Sequence, residues 1–460
     1  MKSLGIWGMG VVGQSVARYC LTHNIPIALL NDRPLTPEQQ NFLTQHGLTC
    51  VQGKGAIEPF LATHDQILVS AGIDLRPYQQ YAHKFIGELD LFAQEWHKPF
   101  IAITGTVGKT TVTHVLGAVI NHLGEPALRS SATSGVVKAV IGGNIGIGLC
   151  DLLETATDAQ SAILEVSSFQ LELSKNFAAD LAIWTNFSPN HLDRHGTLEA
   201  YRDAKNKIIT VQRAGQKALV PAALAGQIKK GAGEIFYFSD TTPLVDELRS
   251  AGSDPLFYFD NNEFRCHYQK SSAIIATITQ APQTILRQNW LIIASALHLL
   301  GLTEHINEAA AYIDTIAKPE HRLEFIGTIN GKFFYNDSKS TTPTATSAAL
   351  EQFKDKSVTL ILGGISKGVD RTPFMQSLPK HISHVICFGS EANELAAACS
   401  LPHVTTCATL EQVVKIAHEK SAPGEIILFS PAGASYDLFA NYIERGNLFK
   451  RLIFSEKLTF

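Results

Sequence analysis

Short apolar runs, turn residues and helical patterns alternate along the whole chain. Runs of aliphatic and β-branched residues that break into glycine, serine or asparagine, followed by segments with helical spacing, are what parallel α/β units look like in sequence. Near the start, SLGIWG and IPIALLN predict two strands with GQSVARYCLTHN as the helix between them, and QILVSAG repeats the strand-to-glycine pattern. A second series opens at IAITGTVGKTT (101–111) and continues through SAILEVSS and DLAIWTNFSPNHLDRHG, both strand-like and both ending in polar residues. Its later part, KALVPAA, EIFYFSD and LFYFDNNEFRCHY, is richer in strand and hairpin signals and predicts an added β layer. From AKPEHRLE (317–324) onward, FFYNDS, VTLILGG, HVICFGS and EIILFSPAG predict four more strands. The longest apolar stretch, WLIIASALHLLGL at 290–302, contains a histidine and falls short of the roughly 18 residues that span a bilayer. It predicts a buried helix.

These three series predict three domains: a Rossmann-like domain over 1–98, a central P-loop domain with a parallel sheet and the added β layer over 99–317, and a C-terminal Rossmann-like α/β domain over 318–460. A length of 460 residues suits that division at roughly 100–200 residues per domain. With 45% hydrophobic and 17% charged residues the chain reads as globular and not as extended disorder. A formal net charge of -4 and a pI near 6.5 show no basic excess, so neither a nucleic acid nor an anionic membrane is expected as partner. Seven cysteines, an odd number without a C-x-x-C pair, argue against a disulfide framework or a zinc knuckle. The start, MKSLGIWGMG, goes straight into a strand-like run without secretory features. A reducing cytoplasm is the expected location.

Candidate chemistry begins at the second series. Phosphate loops work because backbone N–H groups and a helix N-terminus converge on the anion, a lysine reaches the outer phosphates, and the following hydroxyl takes Mg²⁺. Gly105, Gly108, Lys109 and Thr110 supply those parts in a shortened G-x-x-G-K-T form, position 103 being Ile103. A glycine-rich turn with a merely solvated lysine is the bland alternative. At the N-terminus, Gly8, Gly10 and Gly13, with Asp32 at the end of the next strand, satisfy the dinucleotide fingerprint. That turn accepts any diphosphate-linked nucleoside, so an NAD-dependent dehydrogenase competes with other readings, as does tight helix-on-strand packing with no ligand. In an open parallel sheet the ligand crevice lies at the carboxyl ends of the strands, which is where Glu165 and His191 fall. Mg²⁺ commonly takes one or two protein oxygens beside phosphate and water, and Glu165 with Thr110 would provide them. A hydrogen-bonded structural histidine remains the other reading of His191.

With these residues assembled, the sequence resembles the Mur ligases, ATP-dependent amide-forming enzymes of bacterial cell-wall synthesis. The motifs fall in family order over essentially the whole chain: GMGVVG, ITGTVGKTT, GGNIG (142–146), LEVSSFQLE (164–172), NHLDRHG (190–196), YRDAKNK (201–207), HRLE (321–324), NDSKST (336–341), LGGISKGVD (362–370) and SPAGASYDLF (430–439). EVSSFQL together with NDSKST points to the branch that adds D-glutamate. The resemblance implies ATP on the loop Gly105, Thr106, Val107, Gly108, Lys109, Thr110 and Thr111, with Arg322 and Asp337 reaching it from the third domain. It implies that the first domain holds the uridine diphosphate of UDP-N-acetylmuramoyl-L-alanine and no NAD, through Val12, Asp32, Ser70 and Gly72, with Asn144 and His191 reaching toward the substrate. Two glycine-rich loops then serve two nucleotides.

Further roles are implied in the same way. Lys109, Glu165, His191 and Lys205 would be catalytic. Metal would be held at Thr110, Glu165, His191 and Lys205, the last as a carbamate formed with CO₂. Since a lysine amine titrates near ~10.4, that reaction needs burial or a nearby cation to free the neutral amine. Lys207 and Arg202 lie close by in sequence, so an exposed helix lysine is the alternative for Lys205. Thr341, Lys367, Ser435 and Tyr442 would shape a D-glutamate pocket, where charge-assisted hydrogen bonds suit a dicarboxylate. Because ATP and amino acid are gripped from different domains, hinge closure at AKPEHRLE is expected, in a monomer. Three positions depart from the family: Val107 stands where asparagine is usual, Ile292 in RQNWLI replaces an asparagine facing adenine, and Tyr442 replaces phenylalanine. Altered nucleotide contacts are expected there. A sister ligase adding another amino acid, or a P-loop switch that makes no bond, are the competing functions.

Overall fold

A computed structural model describes residues 3–124, 138–145, 147–240, 255–268, 271–316 and 320–455. Two compact units divide the chain: Met1–Phe187 with Glu199–Ile316, and Ser188–Leu198 with Ala317–Phe460. Among the described residues three sheets form.

The first unit contains two of them. Strands β1 (Leu4–Trp7), β2 (Ile27–Asn31), β3 (Cys50–Gln52), β4 (Ile67–Val69) and β5 (Phe85–Ile86) line up in the order β3-β2-β1-β4-β5, every pair parallel. The second sheet uses β6 (Phe100–Thr104), β7 (Ala139–Gly143), β8 (Ser161–Glu165), β9 (Leu181–Trp184), β10 (Lys217–Pro221), β11 (Glu234–Phe238), β12 (Leu256–Asp260), β13 (Glu263–Tyr268) and β14 (Ser271–Thr277). Its order is β14-β13-β12-β11-β10-β9-β6-β8-β7. It is parallel from β7 across to β12 and antiparallel only at β13 and β14. The added strands foreseen from sequence therefore extend the same sheet sideways, because β11 pairs in parallel with β10 and continues its ladder.

β6 and β8 are buried along their entire lengths, which is why they read as unbroken apolar runs and not as alternating ones. On one face of the sheet Ile103, Ile183, Val112 and Leu116 pack with Ile293 and Leu297 of the helix Arg287–Leu299, the buried helix expected from the apolar stretch. On the other face Leu164, Trp184 and Phe177 pack with Ile208 and Phe92. At roughly 1.5–3 kcal/mol for each fully buried large apolar side chain, these two layers supply the stability that fixes the strand ends. The two sheets are joined by side chains of β1's following helix, Val11–Thr22: Arg18 makes two hydrogen bonds to Asp151, at 2.8 and 2.6 Å, and Ser15 accepts from the Asp151 N–H.

The second unit holds β15 (Glu324–Ile329), β16 (Lys332–Asn336), β17 (Val358–Gly363), β18 (Ile382–Phe388), β19 (Val404–Cys407) and β20 (Ile426–Phe429), in the order β15-β16-β20-β17-β18-β19. β15 is antiparallel to β16; the remaining pairs are parallel. The segment Ser188–Leu198, which the sequence places within the central series, groups with this unit instead. Its neighbours explain why: Ser188 hydrogen-bonds Thr344, and Gly368 lies so close that an added Cβ would come within 3.0 Å of the Asp193 nitrogen. Residues 317–319 of the expected hinge, the boundary between the second and third expected domains, and Gly146 of GGNIG lie outside the described residues.

Candidate active site

β6 ends at Thr104, and after four intervening residues the helix Lys109–Leu123 begins. The turn between them is paid for in glycine: Gly105 has φ +149° and Gly108 φ +82°. A Cβ at Gly105 would lie 2.0 Å from Thr185 Oγ1, so this position admits no side chain. Val107 has no positive φ, since the flanking glycines take the strained torsions. Valine at this position therefore carries no left-handed backbone strain. Asn186 clasps the valine's backbone from both sides, accepting from the Val107 N–H at 2.8 Å and donating to its carbonyl at 2.9 Å. Thr185 Oγ1 donates to that carbonyl at 2.6 Å. The helix start carries no side-chain cap and no acidic residue in its first turn, which suits an N-terminus that receives an anion.

Lys109 folds over this loop and donates to the carbonyls of Gly105 and Thr106, at 2.9 and 3.0 Å. Its successor Thr110 donates from Oγ1 to Glu165 Oε2 at 2.5 Å. Glu165 ends β8, beside β6 in register with Ile103, and its other oxygen accepts from Asn144 Nδ2 at 3.1 Å. The Asn144 N–H donates to the Glu165 carbonyl at 2.8 Å, so asparagine and carboxylate are bound at two points. Hard oxygen donors from Thr110 and Glu165, both buried and adjacent at the loop, fit Mg²⁺. Among the described residues no group of three or more His, Cys, Asp and Glu side chains is gathered to hold a metal ion.

Lys205 enters from the helix Leu198–Thr210, whose buried face is formed by Tyr201, Ala204, Lys205 and Ile208 at helical spacing. Only 2% exposed, it donates to the Gly105 carbonyl at 2.7 Å and to Thr104 Oγ1 at 3.3 Å, with Nζ 4.9 Å from the Tyr201 ring centroid. Its neighbours in sequence go elsewhere: Lys207 bonds the Glu172 carbonyl and Arg202 bonds Gln227. The exposed-lysine reading therefore does not describe Lys205. Burial, with Lys109 beside it, holds its ammonium well below the usual lysine range, against an opposing pull from Glu165. Burial also pushes the Tyr201 phenol up to about 12.

His191 lies in the other unit, at the start of the short helix Leu192–His195, with φ +56° and its N–H bonded to its neighbour Asn190. In the first sheet, Val12 and Ser70 flank the glycine loop after β1. Gly8 has φ +103° and packs on Ser70, whose hydroxyl donates to the Gly8 carbonyl at 3.3 Å, and a Cβ at Gly13 would come within 1.8 Å of that same carbonyl oxygen. Asp32 follows β2 directly and Gly72 follows Ser70 by two residues. Asn31, missed from sequence, accepts from the Met9 N–H and so fixes the loop.

In the second unit Arg322 sits between two non-glycine residues of positive φ, His321 (+64°) and Leu323 (+43°). Asp337 is buried beneath them. It accepts from Ser340 Oγ at 2.5 Å, Ser430 Oγ at 2.7 Å and the Leu323 N–H at 3.2 Å, and burial raises its carboxyl to about 6. Lys367 has φ +54°, Ser435 is buried, Thr341 is half-buried, and Tyr442 opens the helix Tyr442–Phe454 with Lys339 Nζ 5.2 Å from its ring centroid.

Comparison with known proteins now decides the family. Residues 103–243 match the Mur ligase middle domain and 321–433 the Mur ligase glutamate ligase domain. A UDP-N-acetylmuramoylalanine–D-glutamate ligase of Desulfotalea psychrophila is 32% identical over 98% of this chain and 95% of its own length, and one of Koribacter versatilis 30% identical over 98% and 97%. The chain belongs to the Mur ligase family. Solved structures share the fold: the MurF ligase of Thermotoga maritima in complex with ADP (TM-score 0.58, 14% identity, 98% of this chain and 93% of that one) and MurF of Acinetobacter baumannii (0.56, 17%, 93% and 87%).

In this Mur ligase the RQNWLI stretch works differently from the sequence expectation. Ile292 is fully buried in the core with Val112 and Leu116, so it presents nothing to a nucleotide. Asn289, one helical turn earlier, stands at the phosphate loop, its Oδ1 2.8 Å from where a Cβ on Gly108 would be. Among the described residues no helix of the ligase is long and apolar enough to cross a membrane.

Proposed function

We propose that this Mur ligase uses ATP to join D-glutamate to UDP-N-acetylmuramoyl-L-alanine in the cytoplasm, acting as a monomer in peptidoglycan precursor synthesis. The observation that carries the reading is the convergence of Lys109, Thr110, Glu165 and Lys205 on one glycine turn, in a chain about 30% identical over nearly its full length to ligases named for D-glutamate.

A carboxylate is a poor acyl donor, so the substrate carboxylate first takes the terminal phosphoryl group of ATP to become an acyl phosphate. The D-glutamate amine then adds to the carbonyl, and phosphate departs from the tetrahedral intermediate. Positioning and charge neutralisation dominate the first step. Lys109 and the N-terminal N–H groups of its helix grip the outer phosphates. Thr110 and Glu165 would hold Mg²⁺, which when bound offsets the negative charge on the phosphoryl oxygens. Lys205 would add CO₂ at its neutral amine, losing a proton to solvent and becoming an anionic oxygen donor; with His191 it would serve a second metal. Arg322 and Asp337 serve ATP, while Thr341, Lys367, Ser435 and Tyr442 receive the amino acid.

The test is an assay of ATP and UDP-N-acetylmuramoyl-L-alanine with a panel of amino acids. D-glutamate should support ADP and amide product in equal amounts. L-alanine or a diamino acid outperforming it would make this a sister ligase; ADP without amide would make it a switch.

A further inference from the structure

We propose that Arg371 and Arg445 are paired positioning residues which clamp the crossing of two strand-end loops and thereby set the geometry of Lys367 and Ser435 toward the amino-acid substrate. The inference rests on the function proposed above for those two residues.

The loop after β17 and the loop after β20 cross through a two-residue bridge. Ile365 N–H donates to the Ala434 carbonyl at 2.9 Å, and Ala434 N–H returns the bond at 2.9 Å. The backbones are close enough to exclude side chains. A Cβ at Gly364 would come within 2.1 Å of the Ala434 oxygen, and one at Gly433 within 2.3 Å of the Gly363 oxygen. Lys367 lies two residues beyond this bridge, held at φ +54°, and Ser435 follows it directly. A shift of the crossing moves both.

A guanidinium sits on each side of it. Arg371 donates to the carbonyls of Gly363 and Gly364, at 3.3 and 2.9 Å, and to Glu391 Oε2 at 2.5 Å. The other oxygen of Glu391 accepts from the Ser366 N–H at 3.0 Å, so the ion pair also holds the residue next to Lys367. Arg445, from the helix Tyr442–Phe454, donates to the Gly433 carbonyl at 3.0 Å, the Ser338 carbonyl at 2.8 Å and the Ser338 hydroxyl at 3.1 Å. Ser338 belongs to the loop after β16, so this one side chain ties two strand ends together.

Arg445 is fully buried and Arg371 is 5% exposed. Placing charge in a core is costly unless hydrogen bonds satisfy it, so plain packing would favour apolar residues at both positions. What a planar fork of five donors provides is simultaneous capture of carbonyls that point from different loops, which a lysine's single ammonium centre cannot match. Burial lowers Arg445 only to about 10, so it is cationic at neutral pH.

The experiment compares Arg371→Lys, Arg445→Lys and Glu391→Gln with the wild type, measuring KM separately for D-glutamate, ATP and the UDP-sugar substrate, together with melting temperature. Both lysine variants should raise KM for D-glutamate by about tenfold or more while the other two KM values stay within about twofold. The double variant should be little worse than the worse single one, since both act on one crossing. Glu391→Gln, which keeps Arg371 in place, should raise the same KM by a few fold and decides the matter if the lysine variants do not fold. Folded variants with an unchanged D-glutamate KM, or with all three KM values rising together, overturn the clamp. A wild type that fails to ligate D-glutamate instead overturns the proposed function.

Discussion

Lys109 and Lys205 donate to the same oxygen: the carbonyl of Gly105 accepts from one at 2.9 Å and from the other at 2.7 Å. Two ammonium groups on one acceptor repel, and the fully enclosed one yields. Lys205 is the group whose proton is held loosely, first through burial and then through Lys109. The glycine carbonyl thus ties the lysine of the glycine turn to a buried amine whose proton is held loosely.

Lys205→Met should lower kcat by about a hundredfold or more, in the range seen when one preorganised electrostatic group is removed. The same change should raise thermal stability in CO₂-free buffer at pH 7. A lysine with a depressed folded pKa binds fewer protons when folded than when unfolded. Its destabilising contribution is therefore present at neutral pH and fades as pH rises toward the unfolded value of 10.5. Melting curves from pH 7 to 10 check this: the gap between variant and wild type must narrow. A variant less stable than wild type at pH 7 contradicts the account.

Gly105→Ala tests the loop itself. The new Cβ meets Thr185 Oγ1 at 2.0 Å on a backbone at φ +149°, and the threonine cannot retreat without releasing the Val107 carbonyl. Strain of this kind costs on the order of 1–3 kcal/mol before any clash is counted. We expect loss of nucleotide binding by calorimetry together with a lower melting temperature. Asn186→Ala removes both side-chain bonds to Val107 but leaves the glycines alone, so its ATP KM should rise about tenfold with a smaller loss of stability.

Much of this site was legible because phosphate chemistry is written locally. Lys109 and Thr110 follow their glycines within six residues, and Glu165 ends a run whose total burial leaves the apolar stretch unmistakable. Asn186, Asn289, Arg371 and Arg445 were not legible in the same way. Three of them pair with groups far away in sequence: Arg445 with the Ser338 carbonyl across 107 positions, Asn186 with Val107 across 79, and Asn289 stands at Gly108, while Arg371 depends on Glu391 twenty positions on. No periodicity or spacing rule carries such a pairing, because it exists only once the strands are side by side. Segment 188–198 is hard to read from sequence for a related reason, since its sequence neighbours group with one unit and the segment itself with the other.

Glu88 offers a test of how the two sheets of the first unit are joined. It begins the helix Glu88–Glu95, is 4% exposed, and accepts from the Leu149 N–H at 2.5 Å at the start of the helix Leu149–Thr155. A helix N-terminus stabilises a carboxylate by about 0.3–1 kcal/mol, up to ~2 in buried geometry. Burial outweighs that aid and the bonds from Leu149, Cys150 and Gln170, and raises the carboxyl to about 7. An acid whose folded pKa is raised keeps its proton when folded after the unfolded chain has lost it. Wild-type stability should therefore fall, relative to Glu88→Gln, between pH 4.5 and 7, and the difference should stay level above that. At 1.36 kcal/mol per pKa unit the relative loss is on the order of 3 kcal/mol. Replacing the carboxyl also sets an amide against the Gln170 side chain, a fixed cost that shifts the whole comparison without tilting it. The tilt is the measurement: a stability difference between the two proteins that does not change from pH 4.5 to 8 would mean that Glu88 titrates alike in the folded and unfolded chain.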